Sequence, residues 1–288
     1  MKIKLKDFRA RDARIDLAEW PTRVGPHYKS KQDYERILDD HRSRLTEAQA
    51  RLYAHGRYAV LVIFQGMDAA GKDGAIKHVM SGLNPLGCRA YAFKQPNDEE
   101  LQHDFLWRTT RRLPQRGHIG IFNRSYYEEV LVVRVHPEVL RAEPLPQDVL
   151  SDGKIWRHRF TSINHHEKHL HRNGTRIVKI FLHISRDEQA RRLLQRMDDP
   201  QRNWKFSMAD VQERTYWSDY QRAYADCIAQ TSTKFAPWYI VPADDKKNAR
   251  LIVSQVLLET LAGLDITYPK LDAARRRELQ SIRKELTK

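Results

Sequence analysis

The sequence predicts an α/β fold, a three-layer α/β/α arrangement around a five-stranded parallel sheet, on three observations. Five short apolar runs rich in β-branched and aromatic residues recur along the chain, separated by segments of helical spacing. The first run ends in a glycine-rich turn that opens a helix, the start of a parallel α/β unit. The chain, 288 residues with 41% hydrophobic and 31% charged, is apolar enough to build a core and too interrupted by charge to live in a bilayer. One domain with appendages, spanning 1–288, is expected at this length.

In chain order, residues 1–56 form an N-terminal extension and a helix. The first twenty residues alternate charge with single apolar residues and hold no apolar h-region, so a secretory signal is not expected and a cytoplasmic address follows. From Ser30 to His55 the residues Tyr34, Ile37, Leu38, Leu45, Ala48 and Leu52 recur mostly at three-, four- and seven-residue separations, predicting an amphipathic helix over one face of the sheet. YAVLVIF (Tyr58 to Phe64) is the first strand, and GAIKHVMSGL supplies the helix after its turn. Cys88 to Phe93, Gly117 to Phe122, Arg176 to Ser185 and Pro237 to Pro242 are the other four strands. Between the last two, RDEQARRLLQRMDDPQRNWKFS and MADVQERTYWSDYQRAYADCIAQ read as a helix, turn, helix module over 186–226, split at Asp199 and Pro200. Lys246 to Ala262 should be a closing helix. The basic C-terminal segment, 265–288, carries Arg275, Arg276 and Arg277 and reads as a solvated helix rather than a nucleic-acid arm.

Lys plus Arg number 51 against 37 Asp plus Glu, a net charge of +14, which favours a polyanionic partner. No stretch approaches the roughly 18 uncharged apolar residues of a membrane span. Cys88 and Cys227, the only cysteines, can build neither a disulfide framework nor a cysteine-ligated zinc site and are expected to be reduced core thiols.

Gly66-Met67-Asp68-Ala69-Ala70-Gly71-Lys72-Asp73-Gly74 fits G-x-x-x-x-G-K between a strand and a helix. Glycines let backbone amides turn toward phosphate oxygens, the helix presents its positive end, and Lys72 adds a mobile charge; a bare strand-to-helix connection would not need that lysine. Asp73 stands where such loops carry the Ser or Thr that reaches magnesium, so the metal must be held differently, with Asp68 the first candidate. Asp73 serves either the phosphate site or the helix N-terminus as a stabilising charge.

A second cluster, Asn123-Arg124-Ser125-Tyr126-Tyr127-Glu128-Glu129, follows the third strand and should face Lys72 across the crevice at the carboxyl ends of the strands. Asn123 replaces the usual carboxylate and brings no charge, so metal binding must lean on Asp68, on Glu128 or Glu129, and on substrate phosphates. Arg124 is placed to neutralise charge on a transferred phosphoryl group, with a structural salt bridge as its alternative; for the two glutamates the alternative is a solvated first helical turn.

Together these motifs resemble the type 2 polyphosphate kinases, P-loop kinases related in fold to thymidylate kinase. The resemblance covers nearly the whole chain: GMDAAGKDG, KQPNDEELQHDFLWR (Lys94 to Arg108), GHIGIFNRSYYEEVLVVRVHPE (Gly117 to Glu138), NGTRIVKIFLHISRDEQARRLLQR (Asn173 to Arg196) and WKFSMADVQERTYWSDY (Trp204 to Tyr220) occur in order. Asn123 with the YYEEVLVVRVHPE continuation is similar to the class III branch, which accepts AMP as well as ADP. The resemblance implies reversible phosphoryl transfer from inorganic polyphosphate to AMP or ADP, yielding ATP from ADP, with Mg²⁺ or alternatively Mn²⁺. It implies a homo-oligomer, dimer or tetramer, with no membrane or nucleic-acid partner. Asp68, Lys72, Arg124 and Glu128 would be catalytic. Gly66, Ala69, Ala70, Gly71, Asp73, Gly74, Lys77, Lys94, Arg134 and Arg186 would line the polyphosphate path with Lys72. Asn123, Arg124, Glu128, Glu129 and Lys205 would meet the nucleotide, beneath a helical lid with Trp204, Lys205, Phe206 and Ser207 at its tip.

The main rival is an ATP-dependent nucleoside monophosphate kinase, which needs an adenine pocket; PWYIVPADDKKNAR (Pro237 to Arg250) is either that pocket or a plain strand-to-helix turn. Trp107 and Trp204 read as core or interface aromatics before base-stacking ones. A nucleic-acid-binding P-loop protein is a remote third reading, since no nucleic-acid module is visible. His165, His166, His169 and His171 read as a surface cluster rather than a metal site.

Overall fold

The five apolar runs become β1 (Ala59–Gln65), β2 (Cys88–Ala92), β3 (Ile119–Asn123), β4 (Thr175–His183) and β5 (Trp238–Pro242), all parallel, in the order β2-β3-β1-β4-β5. The computed structural model describes residues 3–11, 14–201, 203–206 and 208–287, and for Lys205 and Asp210 the backbone alone. Every residue of β1 is buried, the physical reason that AVLVIF shows no polar alternation.

Among the described residues seven helices reach eight residues or more: α1 (Lys31–His55), α2 (Lys72–Val79), α3 (Ile155–Arg172), α4 (Arg186–Asp198), α5 (Trp217–Thr231), α6 (Lys246–Ala262) and α7 (Ala273–Leu286). One face of the sheet carries α1, α2 and α6, packed on one another; the other carries α3 and α5. The Ser30 side chain accepts from Asp33 N–H to start α1, and Gly56, at φ +66°, ends it by donating to the Leu52 carbonyl. α4 and α5, joined through the turn Asn203–Lys205 and the short helix Met208–Glu213, form the helix, turn, helix module expected over 186–226. Ser207 and the Lys205 side chain, both placed at the lid tip from sequence, lie outside the described residues.

The N-terminal extension joins the core. Its isolated apolar residues Ile3, Leu5, Phe8, Ala10, Ile15 and Leu17 are buried in the core. Arg9 bridges Tyr239 in antiparallel fashion, with Ile240 N–H donating to the Phe8 carbonyl at 2.8 Å and Ala10 N–H to the Trp238 carbonyl at 3.0 Å. The segment thus covers the open edge of β5, and single apolar residues suffice because a short edge pairing needs only alternate side chains to face inward. At the other end α7 buries nothing, as a charged, solvated helix should.

The order of strands places the site. From β1 the chain moves to one side through β2 and β3 and returns to the other side as β4 and β5, so a crevice opens at the carboxyl ends of β1 and β3. Phe64 pairs with Asn123, and Arg124 N–H donates to the Phe64 carbonyl at 3.0 Å, so the loops after the two strands begin side by side.

Candidate active site

Gly66 opens the loop after β1 at φ +153°, where an added Cβ would lie 2.9 Å from the Leu182 carbonyl oxygen; no other residue fits beneath β4 here. Gly71 (φ +103°) closes the loop, Ala69 (φ +60°) is left-handed between them, and α2 starts at Lys72. The buried Lys72 folds back on its own loop, Nζ donating to the carbonyls of Gly66 (2.5 Å) and Met67 (3.2 Å). Burial pushes its pKa down, and the Arg124 guanidinium adds to that push. An incoming anion would compete for this ammonium and favour its charged form.

Arg124 sits at the end of β3 with φ +64°, a conformation held against its own steric cost. Its Nη2 lies 3.0 Å from Asp68 Oδ1 and its Nη1 3.5 Å from Glu128 Oε2. Burial raises the pKa of Glu128, opposed by Arg124 and Lys72 and by a hydrogen bond from Gln65. Asp68, Lys72, Arg124 and Glu128 therefore form one group, two cations and two acids. Asn123 Nδ2 donates to Asp73 Oδ1 at 2.6 Å, closing the mouth between β3 and α2.

The turn Tyr126–Val130 that carries Glu128 is anchored from below. Both tyrosine hydroxyls donate to Glu167 Oε1, at 2.9 and 2.7 Å. Lys179 Nζ donates to Glu167 Oε2 (2.6 Å), the Tyr127 hydroxyl (2.9 Å) and the Thr231 carbonyl (2.7 Å). Lys179 and Glu167 are fully buried, so this ion pair persists only because each partner is so fully hydrogen-bonded.

Other candidates are placed elsewhere. Glu129 does not face Lys72. A tight 3-10 turn points consecutive side chains in different directions, and Glu129 lies 3.4 Å from Arg108 and 3.6 Å from Arg159. With Glu100, Arg108, Glu143 and Arg159 it lines a separate cavity of about 610 Å³. Burial and the Glu143 carboxylate push Glu129 up to about 7 in spite of both guanidinium groups. Arg134, expected on the polyphosphate path, is ion-paired with Asp226 of α5 and lies over the Trp156 ring. Lys94 and Arg186 are exposed just beyond β2 and β4, on the crevice edge of the sheet, whereas Lys77 is exposed further along α2.

Two of the four histidines on α3 or at its end, His165 and His169, are exposed; His166 instead packs edge-on against Tyr126 and His171 against Phe235, so the group is split between surface and core. Trp107 stacks on His103 at 3.8 Å under Arg111. Among the described residues no group of three or more His, Cys, Asp or Glu could hold a metal by itself. The Asp68 carboxylate, 36% exposed beside the loop, offers a hard oxygen of the kind that would hold a magnesium ion.

Sequence reasoning missed Gln189 and Arg192 of α4. Gln189 Nε2 donates to the Asp68 carbonyl (3.0 Å), and Arg192 Nη1 to those of Ala69 (3.1 Å) and Ala70 (2.9 Å). Their i, i+3 spacing with Leu193 on one helix face was the available signal. The turn after β5 is also resolved. Asp244 Oδ2 accepts from Thr22 Oγ1 and Asp245 Oδ2 from the Tyr28 hydroxyl, while Asn248 accepts from His27 N–H and donates to the carbonyls of Val24 and Gly25. The N-terminal segment thus occupies Asp244 Oδ2, Asp245 Oδ2 and the Asn248 amide.

Residues 28–269 match the family model described as Polyphosphate kinase 2. The chain is 57% identical over 289 residues, the whole of both chains, to an ADP-polyphosphate phosphotransferase of Rhodopseudomonas palustris. It is 42% identical over 94% of its length to an AMP/ADP-polyphosphate phosphotransferase of Meiothermus ruber, of which 97% is covered. A crystal structure of polyphosphate kinase 2 from Arthrobacter aurescens superposes with a TM-score of 0.83 at 40% identity, covering 95% of this chain and 98% of that one.

Proposed function

The chain belongs to the polyphosphate kinase 2 family, and from that premise we propose that it is a polyphosphate-dependent nucleotide kinase moving a phosphoryl group between inorganic polyphosphate and AMP or ADP. The observation that carries the choice of donor is the occupied turn after β5. Asp244, Asp245 and Asn248, where the rival ATP-dependent kinase would need an adenine pocket, are bonded to Thr22, His27, Tyr28 and the backbone of residues 24–25. The donor end of the crevice then offers the loop amides, Lys72 and Arg124, a surface suited to bare phosphates.

In this reading the loop and Lys72 hold the terminal phosphates of the donor, and an acceptor phosphate oxygen attacks in line. That oxygen is already ionised near neutral pH, so no strong base is needed. Arg124 neutralises charge on the transferred group, and Glu128, behind it, keeps the guanidinium aimed at the crevice. Asp68 is the residue we assign to Mg²⁺, with Mn²⁺ as the alternative; the bound ion would neutralise phosphate oxygens. Lys94 and Arg186 extend the basic path, and Asn123 and the lid residue Lys205 are assigned to the acceptor side. Use of both acceptors follows the sequence resemblance to the AMP-accepting branch. A cytoplasmic homo-oligomer is the matching setting, supported by the free thiols Cys88 and Cys227 and by the exposed Leu279, Ile282 and Leu286 on α7.

The deciding experiment offers AMP and ADP with magnesium, each with polyphosphate and, for AMP, with ATP as donor, and separates products by chromatography. Formation of ADP and then ATP from AMP and polyphosphate is expected. Use of ADP alone would narrow the acceptor, and transfer from ATP with polyphosphate inert would replace this reading by the nucleoside monophosphate kinase.

A further inference from the structure

We propose that Arg192 and Gln189 are positioning residues for phosphoryl transfer: from the first lid helix they grip the carbonyl side of the phosphate loop, fixing where its amides point and tying loop geometry to the lid. The inference rests on the reading of that loop as the polyphosphate site.

α4 is built inside out for a surface helix. It exposes Leu194 (60%) and Met197 (46%) and buries the polar Gln189 (2%) and Arg192 (5%) beside Leu193 (4%). Burying a guanidinium carries a large desolvation cost unless its donors are matched. Here they are: Nε donates to Glu188 Oε1 (2.7 Å), Nη1 to the carbonyls of Ala69 and Ala70, and Nη2 to those of Ala243 and Asp244. Arg192 thereby joins the phosphate loop, the lid helix and the turn after β5.

The consequence for the loop follows from peptide planarity, because a carbonyl and the N–H of the next residue point in opposite directions. With the Asp68 carbonyl held by Gln189 and the Ala70 carbonyl by Arg192, the N–H groups of Ala69 and Gly71 turn away from α4. The intervening N–H, of Ala70, is held by the Met67 carbonyl. The left-handed Ala69 (φ +60°) carries a steric cost, and the grip of Arg192 on its carbonyl opposes relaxation. Neither side chain touches the crevice face of the loop through these bonds; each acts through the backbone it holds.

The test uses the full chain with Gln189→Ala, Arg192→Lys and Lys72→Met. It measures kcat, KM for polyphosphate and for nucleotide, tripolyphosphate binding by calorimetry, and the melt. Lysine keeps the charge at 192 but cannot reach all five acceptors. Gln189→Ala and Arg192→Lys should melt cooperatively yet lose about tenfold or more in kcat and bind tripolyphosphate more weakly, with nucleotide KM unchanged. A lowered melt with wild-type kcat and wild-type tripolyphosphate affinity would reduce both residues to structural ones and overturn the proposal. Should Arg192→Lys fail to fold, Gln189→Ala decides alone, since it removes a single hydrogen bond. Wild-type tripolyphosphate binding by Lys72→Met would instead overturn the underlying reading of the loop, whatever the α4 variants do.

Discussion

Asn123 Nδ2 donates to Asp73 Oδ1 at 2.6 Å, and these are the two positions at which the chain departs from the usual phosphate-loop pattern. A carboxylate follows the loop lysine where a hydroxyl is usual, and an amide ends β3 where a carboxylate is usual. The two departures are one feature: the charge has moved from strand to loop, and the strand supplies a donor to hold it. Asn123→Asp would oppose two carboxylates across that gap, costing on the order of 1 kcal/mol. The variant should melt below wild type in chelator and regain the difference with magnesium, which two facing carboxylates can share. A melt indifferent to magnesium would count against a metal near Asp73.

Lys72→Met should lower kcat at least about 100-fold, the scale of losing a charge-stabilising donor. The melt should hold or rise, because Lys72 is buried against carbonyls with its charged form disfavoured. Rates and melts on the same sample check both halves.

Glu129 gives a pH signature in stability rather than in turnover. Its pKa is raised from 4.5 to about 7 in the folded chain, so the native state holds the proton more tightly than the unfolded one. That contribution is complete below about 4.5 and disappears as pH rises through about 7. Wild type should therefore lose stability relative to Glu129→Gln across this window and run parallel to it outside. Urea denaturation of both at a series of pH values measures the difference.

Lys179→Met leaves Glu167 buried and unpaired and should destabilise by about 3–5 kcal/mol, loosening the turn that carries Glu128 along with it. Adding Glu167→Gln should recover part of the loss, because the pair then disappears together. A double-mutant cycle by chemical denaturation checks the coupling.

The sequence alone determined the α/β class, all five strands, the helices α1, α2 and α6, and the placing of the loop of Gly66, Gly71 and Lys72 beside the cluster that follows β3. Those features are written in near-neighbour patterns: a period of 3.6 or a buried run, and a loop whose glycines and lysine are consecutive. What only the tertiary structure decided is which way a side chain points and what it meets. Glu128 and Glu129 are adjacent and chemically identical, yet a 3-10 turn sends one to Arg124 and the other to Arg108 and Arg159. Arg134, expected on the polyphosphate path, meets Asp226, a partner 92 residues away. Arg192 drew no notice in the sequence, and the N-terminal extension showed no strand pattern, yet the sheet brought the phosphate loop to the one and the edge of β5 to the other. Pairings at long sequence separation depend on packing three layers at once, and no local spacing encodes them.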